Sequence, residues 1–303
     1  RWPRVHGDVV EALRALFAAT GKVPLVTSDA LCFMLDRVFD NWCNDAAHLL
    51  DDATAADVDA VASAFVHAGP FQVLNLARGN PIIVETNTLQ MEEGACYRPA
   101  RIFDSVNEWK TLAPGATMAV ADDVLARVRD RLLGVLFSQT VDILDRGIGT
   151  AADLDLGCVL GLGFKRGPLE LMRALGDVET ARIIERFARE RPGMPTAKRP
   201  LADYQRFSRK VQVDDLDGVK VITLRRPHAL NALDDEMTDE VLAAIKAHEG
   251  DAKVTGFVIV GYGERAFCAG ADIGRLADTL GDAEAAAGFA RECSRLLLHL
   301  DQM

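Results

Sequence analysis

Leu224-Arg225-Arg226-Pro227-His228-Ala229-Leu230-Asn231-Ala232-Leu233 and, further along, Phe267-Cys268-Ala269-Gly270-Ala271-Asp272-Ile273 are the two stretches whose reading decides the fold of this 303-residue chain. Each follows an apolar run, 219–224 and 256–261, that reads as a β-strand. In the second stretch the strand delivers the chain into a tight turn where Gly270 lets backbone come close to a ligand. A helix-like pattern starts just after it, so unpaired N–H groups point at the turn and favour an anion there. Upstream, 211–213 and 219–224 flank Asp217-Gly218, a hairpin signal, and 235–248 has helical periodicity. Residues 210–303 therefore read as an α/β segment. Asp272 reads as a helix cap and Cys268 as a small packed residue, because no acid–base partner stands near it in sequence.

Working outward, 191–209 changes composition to Pro192, Gly193, Pro195 and Pro200 among Lys198, Arg199, Arg206 and Arg209, which reads as a linker. Before it, 30–190 is helical in period and broken by turn signals. That region repeats itself. Leu50-Asp51-Asp52-Ala53-Thr54-Ala55-Ala56-Asp57 is matched by Leu144-Asp145-Arg146-Gly147-Ile148-Gly149-Thr150-Ala151-Ala152-Asp153, with a turn two residues shorter in the first copy. Thr54 and Thr150 each precede an aspartate by three positions, a capping arrangement, and each copy later places a Gly-Pro pair, Gly69-Pro70 and Gly167-Pro168, where a helix should open. The spacing is too long for a solenoid and predicts a duplicated helical half-domain. At the front, 9–20 reads as an amphipathic helix, Gly21-Lys22 as its C-cap and 23–27 as a short strand, the way a βαβ unit would end. The chain starts Arg1-Trp2-Pro3 without a methionine and stops in a helix-like run at Gln302-Met303, so both ends are read as cuts in a longer polypeptide.

The formal charge of −11 speaks against nucleic acid as a partner, since phosphate binding wants a basic face. No apolar run approaches the roughly 20 residues of a membrane span. Six cysteines lie far apart with no Cys-x-x-Cys and no Cys/His spacing for a metal, which predicts reduced thiols, a cytoplasmic location and no metal site. The six histidines and Trp42 and Trp109 are read as structural.

The two stretches quoted first resemble the crotonase superfamily of enoyl-CoA hydratases and isomerases, over about 211–303. The resemblance implies that the backbone N–H of Ala271 is half of an oxyanion hole for the enolate of an acyl-CoA thioester. It further implies that Ala229, Leu230, Ala269, Gly270, Ala271, Asp272 and Ile273 line the groove for coenzyme A. The second oxyanion donor and the catalytic glutamates of that family would lie beyond Met303, so this chain alone is expected to be inactive as a hydratase.

Residues 9–191 resemble the C-terminal helical domain of 3-hydroxyacyl-CoA dehydrogenases, present twice. The cues are Gly21-Lys22-Val23-Pro24, Phe33-Met34-Leu35-Asp36-Arg37, Asn44-Asp45-Ala46 and Gly69-Pro70-Phe71, with Gly163-Phe164-Lys165-Arg166-Gly167-Pro168 ending the second copy. Asp36 departs from the asparagine usual in that family. The implied fold is α plus α/β: tandem all-helical dehydrogenase-type domains, then a truncated crotonase-like ββα spiral. The expected division is 1–28, the end of a Rossmann-like unit; 29–112 and 113–191, the helical copies; 192–209, a linker; and 210–303, the crotonase-like half. The implied parent is a bifunctional β-oxidation enzyme, oxidising 3-hydroxyacyl-CoA with NAD and hydrating enoyl-CoA, and able to form homo-oligomers through its crotonase domain. No Gly-x-Gly-x-x-Gly occurs in the sequence, so NAD would bind to a Rossmann half preceding Arg1. Two other readings stand beside it: a crotonase-type isomerase or hydrolase, and a non-catalytic acyl-CoA-binding or assembly module.

Overall fold

The computed structural model describes residues 4–113, 115–263, 265–274 and 279–303, and the chain divides into two compact units. Leu25–Phe207 build one, while Val5–Pro24 and Ser208–Met303 build the other. In chain order the elements are α1 (Gly7–Ala19), α2 (Leu35–Ala47), α3 (Ala55–Ala62), α4 (Pro70–Ala77), α5 (Asn80–Gln90), α6 (Asp122–Asp145), α7 (Ala151–Gly161), α8 (Pro168–Leu175), α9 (Asp177–Glu190) and α10 (Leu201–Tyr204). They continue with β1 (Val211–Leu216), β2 (Val219–Leu224), α11 (Asp235–Lys246), β3 (Gly256–Gly261) and α12 (Ala283–Leu300). The molecule is thus mostly helical with one small sheet.

The helical unit is built on the repeat. Thr54 Oγ1 accepts from Asp57 N at 3.1 Å where α3 starts, and Thr150 Oγ1 accepts from Asp153 N at 3.1 Å where α7 starts. A second pair of bonds locks each hairpin. Asp59 on α3 accepts from the N–H groups of Phe71 and Gln72 in the first turn of α4, at 3.0 and 3.1 Å. Asp155 on α7 accepts from Leu169 and Glu170 in the first turn of α8, at 2.8 and 3.2 Å. These carboxylates satisfy orphan N–H groups and lie at the positive end of the helix dipole. The approach demands glycine: a Cβ at Gly69 would sit 2.3 Å from Asp59, and one at Gly167 2.3 Å from Asp155.

Between the two hairpins runs an antiparallel bridge, Val66 to Phe164, with His67 N donating to Gly163 O at 3.0 Å and Lys165 N to Phe65 O at 2.8 Å. Val66 and Phe164 each stand three positions before the glycine of their Gly-Pro pair, so equivalent residues meet and the copies face each other about a local pseudo-twofold axis. The repeat also reaches further back than the sequence reading took it. Asp36-Arg37 on α2 is matched by Asp130-Arg131 on α6. Arg37 is fully buried and pairs with Asp142 Oδ2 at 2.9 Å and with Glu93, just past α5. Arg131 pairs with Asp45 Oδ1 at 2.8 Å and with Glu190, the last residue of α9, at 3.1 Å.

Two local expectations change. Residues 23–27 form no strand, because no described segment offers them a ladder; Ser28 N instead donates to Ile148 O. Most of the 192–209 stretch that its prolines mark as a linker, residues 192–207, is strapped onto the helical core through buried Met194 and Tyr204. Ser138 Oγ donates to Pro195 O at 2.7 Å, and Tyr204 Oη to Asp145 Oδ2 at 2.7 Å. Prolines rigidify a docked strap as readily as a loose connection.

In the other unit the hairpin forms as its sequence demands. Asp217 and Gly218 have φ of 50° and 86°, the pair of left-handed residues a type I′ turn needs. β1 and β2 are antiparallel and β3 is parallel to β2, with α11 as the crossover. Met237, Val241 and Ile245 recur at helical spacing and pack on Ile222 and Leu224 of the sheet, together with Leu296 of α12. No described helix is long and apolar enough to cross a membrane.

Candidate functional site

The site lies where the chain leaves the C-terminal ends of β2 and β3, the edge at which parallel strands present ligand-binding loops. After β2 a short 3₁₀ turn, Pro227–Ala229, leads into Leu230 and Asn231, both left-handed with φ of 51° and 55°. Asn231 accounts for that conformation. Its side chain is 1% exposed and donates to Tyr262 O at 3.1 Å and Ala266 O at 2.9 Å, while its Oδ1 accepts from Arg226 N at 3.0 Å. It thereby ties the first loop to the second. The second loop folds back tightly on its own strand, so that a Cβ at Gly261 would lie 2.2 Å from Phe267 O.

The two loops are then stitched by backbone. Ala269 N donates to Leu230 O at 3.0 Å, Leu233 N to Gly270 O at 2.8 Å and Asp272 N to Leu233 O at 2.8 Å. This is one step of a parallel ladder, Leu233 against Ala271. In such a step Leu233 bonds to the residues on either side of Ala271, so the N–H of Ala271 points away from the partner strand. It meets no acceptor among the described residues. Gly270, at φ 102°, supplies the backbone reversal that aims it, a conformation closed to side-chain-bearing residues. Beside it opens a cleft of about 260 Å³ lined by Leu233, Thr238, Gly270, Ala271, Phe289 and Cys293. The structure thus brings together Ala229, Leu230, Ala269, Gly270, Ala271, Asp272 and Ile273, with Leu230 and Ile273 exposed.

The charges around the cleft are paired. Asp272 accepts from Gly274 N at 3.0 Å and from Arg226 Nη2 at 2.9 Å, and those two donors hold its carboxyl below the usual carboxylate range. Its bond to Gly274 closes a turn two residues on, and the helix that Asp272 was expected to cap falls on 275–278, outside the described residues. Asp234 caps α11 through Met237 N at 2.9 Å and faces Lys210 and Arg226, and Glu292 faces Arg295 at 3.5 Å. These three carboxylates are therefore committed to cations rather than free to activate water. Sequence reasoning missed Arg226 and Asn231; the sign that could have found them was a polar pair, Arg226 and Asn231, inside an otherwise apolar motif.

Dinucleotide binding finds no cradle here. Gly261-Tyr262-Gly263 after β3 is the nearest glycine pattern, and described residues 265–274 behind it contain no helix to receive a phosphate. No group of three or more His, Cys, Asp or Glu among the described residues is placed to hold a metal ion.

Comparison with known proteins falls along the same division. Residues 128–214 match the family model for the 3-hydroxyacyl-CoA dehydrogenase C-terminal domain, and 219–303 match that for enoyl-CoA hydratase/isomerase. The chain joins a dehydrogenase-type helical region to a partial crotonase-type region. Among curated relatives, the mitochondrial 3-hydroxyisobutyryl-CoA hydrolase of Gallus gallus is 46% identical over 61 residues, 20% of this chain and 16% of that protein. A probable enoyl-CoA hydratase of Mycobacterium tuberculosis is 45% identical over 64 residues, 21% of this chain and 25% of that protein. The chain spans about a quarter or less of the length of these relatives. The crystal structure of 3-hydroxybutyryl-CoA dehydrogenase from Escherichia coli shares the fold, with a TM-score of 0.54 at 15% identity over 68% of this chain and 66% of that one.

Proposed function

We propose that the chain is part of a bifunctional β-oxidation enzyme, an NAD-dependent 3-hydroxyacyl-CoA dehydrogenase and enoyl-CoA hydratase acting on acyl-CoA thioesters. In this reading 1–28 closes a Rossmann-like unit, 29–112 and 113–191 are the helical copies, 192–209 connects them to the next region, and 210–303 is the first half of the crotonase-like domain. NAD does not fit the described residues, and in this reading it binds to a Rossmann domain outside them. Six free thiols support a reducing, cytoplasmic compartment. Exposed Leu297 and Leu298 on α12 support a homo-oligomer through the crotonase-like domain.

The observation that carries the proposal is the N–H of Ala271 beside the cleft, which meets no acceptor among the described residues. An enoyl-CoA thioester oxygen placed there receives a hydrogen bond that strengthens as negative charge develops on it, which lowers the barrier to enolate formation. Ala229, Leu230 and Ala269–Ile273 would carry the coenzyme A moiety along the stitched loops. A preorganised donor of this kind is worth about a hundred- to thousand-fold in rate. The test is Gly270→Val, which cannot hold φ near 102° and so turns the Ala271 N–H away. Crotonyl-CoA carrying ¹³C at its thioester carbonyl should lose its infrared red-shift and its affinity, while the helical unit keeps its circular dichroism. An unchanged carbonyl frequency would overturn the reading.

A second reading, thioester hydrolysis at the same donor, is favoured by the identity to the Gallus gallus relative named a hydrolase. Release of free coenzyme A thiol, followed with a thiol reagent, separates it from hydration.

A further inference from the structure

Resting on the reading that Ala271 is an oxyanion donor, we infer that Arg226 is a positioning residue that sets the aim of that donor by clamping both sides of the one-step ladder around it. Arg226 Nη1 donates to Ala232 O at 2.7 Å, the carbonyl immediately before Leu233, and Nη2 donates to Asp272 Oδ2 at 2.9 Å, immediately after Ala271. One planar guanidinium therefore spans the two loops at the point where they pair, and its fixed fork sets their separation. The ladder step at Leu233 and Ala271 is isolated and has no flanking rungs to hold its geometry. Besides the clamp, the described bonds that hold the Ala271 peptide are Leu233 N to Gly270 O and Asp272 N to Leu233 O, with Ala269 N to Leu230 O on the loop before it.

The rest of the arrangement supports a positioning role. Arg226 is itself held: its N–H donates to Asn231 Oδ1, its carbonyl accepts from Asn231 N at 2.8 Å, and Asp234 lies 3.4 Å from Nη1. Its side chain is only 14% exposed, so the ion pair with Asp272 is shielded enough to act as a constraint rather than as a screened surface contact. Asp272 is fixed on its other oxygen by Gly274 N. The guanidinium reaches Asp272 and Asp234 at the border of the cleft but makes no bond to Ala271 itself, so it acts through the ladder and not on the substrate.

The experiment uses the native polypeptide with ¹³C-crotonyl-CoA and three variants. Arg226→Met should remove most of the carbonyl red-shift and lower kcat about 100-fold, with a smaller change in KM, since displacing a donor by about an ångström costs that much. Arg226→Lys, which keeps the charge but not the fork, should restore only part of the shift. If Arg226→Met lowers the melting temperature, Asp272→Asn decides, because it leaves Arg226 folded in place and breaks only the charged contact; the same loss of red-shift is expected. Gly270→Val reports on the underlying reading. Loss of the shift in Gly270→Val with full shift in Arg226→Met and Asp272→Asn overturns the clamp alone; a retained shift in Gly270→Val overturns the donor and the clamp together.

Discussion

In the second helical copy, α6 and α9 close over Gly134, whose added Cβ would lie 2.6 Å from Phe187, with Ile183 and Ile184 buried on the same helix. The matching helices of the first copy, α2 and α5, close over amides instead. Asn44 Nδ2 donates to Asn87 Oδ1 at 3.0 Å, Asn87 Nδ2 to Ile83 O and Asp40 O at 3.1 and 3.3 Å, and the amides of Asn41 and Gln90 lie 2.9 Å apart. One scaffold thus carries an apolar seam and a polar one. An apolar seam stabilises in proportion to the area it removes from water, about 25 cal/mol per Å², and tolerates small slips. A polar seam nets only about 1 kcal/mol per bond but penalises every unmade one, so it specifies register more than it adds stability. The matched aspartates of α2 and α6, Asp36 and Asp130, differ likewise. Asp130 is held by Arg129, Arg182 and Arg186, whereas exposed Asp36 has no hydrogen-bond or ion-pair partner among the described residues.

The largest effect should come from the buried arginines. Arg37→Met leaves Asp142 and Glu93 with Arg146 alone and should cost about 3 kcal/mol, because a buried pair broken on one side strands a charge. Arg131→Met should cost about 1 kcal/mol, since Arg131 is 11% exposed and Asp45 keeps Arg191 at 3.2 Å. Urea denaturation of the two variants checks the order, and equal costs would break the contrast between the copies.

A smaller effect separates the copies by pH. Asp40 is buried, and that burial, with the nearby charge of Asp36, raises its pKa to about 7, while copy two has Gly134 in its place. A raised folded-state value means that the stability this carboxyl contributes is fully present below its unfolded value near 4 and is lost as pH rises through about 7. Asp40→Asn should therefore flatten the stability profile across that window and stabilise the protein at pH 8 by on the order of 2 kcal/mol. Glu93 works in the opposite sense: Arg146 and Arg37 overcome its burial and hold it at about 2, so its contribution is present above about 4.5 and lost as pH falls through 2. Thermal melts at pH 5 and pH 8 measure the first and melts at pH 5 and pH 2.5 the second, and a profile unchanged by Asp40→Asn would place the pH dependence elsewhere.

How much of this was legible depended on range. The Asp217-Gly218 turn, the threonine caps and the Gly-Pro helix starts are local events, each written within four residues, and the structure keeps them. The crotonase-like loops were legible because Gly270 and the strand before it lie together in sequence. Arg226 and Asp272 are 46 positions apart, and only the pairing of two loops makes them partners. The docking of 192–207 was not legible for a related reason: prolines report backbone stiffness, and whether a stiff segment docks depends on the distant residues that receive Tyr204. The Asp-Arg repeat hid behind the two extra residues of the second-copy turn, which shift its register against the threonine caps.

The smallest effect tests the equivalence of the copies where they agree. Asp59 and Asp155 each use two carboxylate oxygens for two N–H groups at the start of the next helix. An asparagine offers one acceptor and turns an NH₂ toward the other N–H, so Asp59→Asn and Asp155→Asn should each cost about 1 kcal/mol, the usual worth of an N-terminal cap. The two costs should agree within about 0.5 kcal/mol and should add in the double variant. A cost confined to one copy would mean that only one hairpin depends on its cap, and the duplication would then survive as geometry without shared energetics.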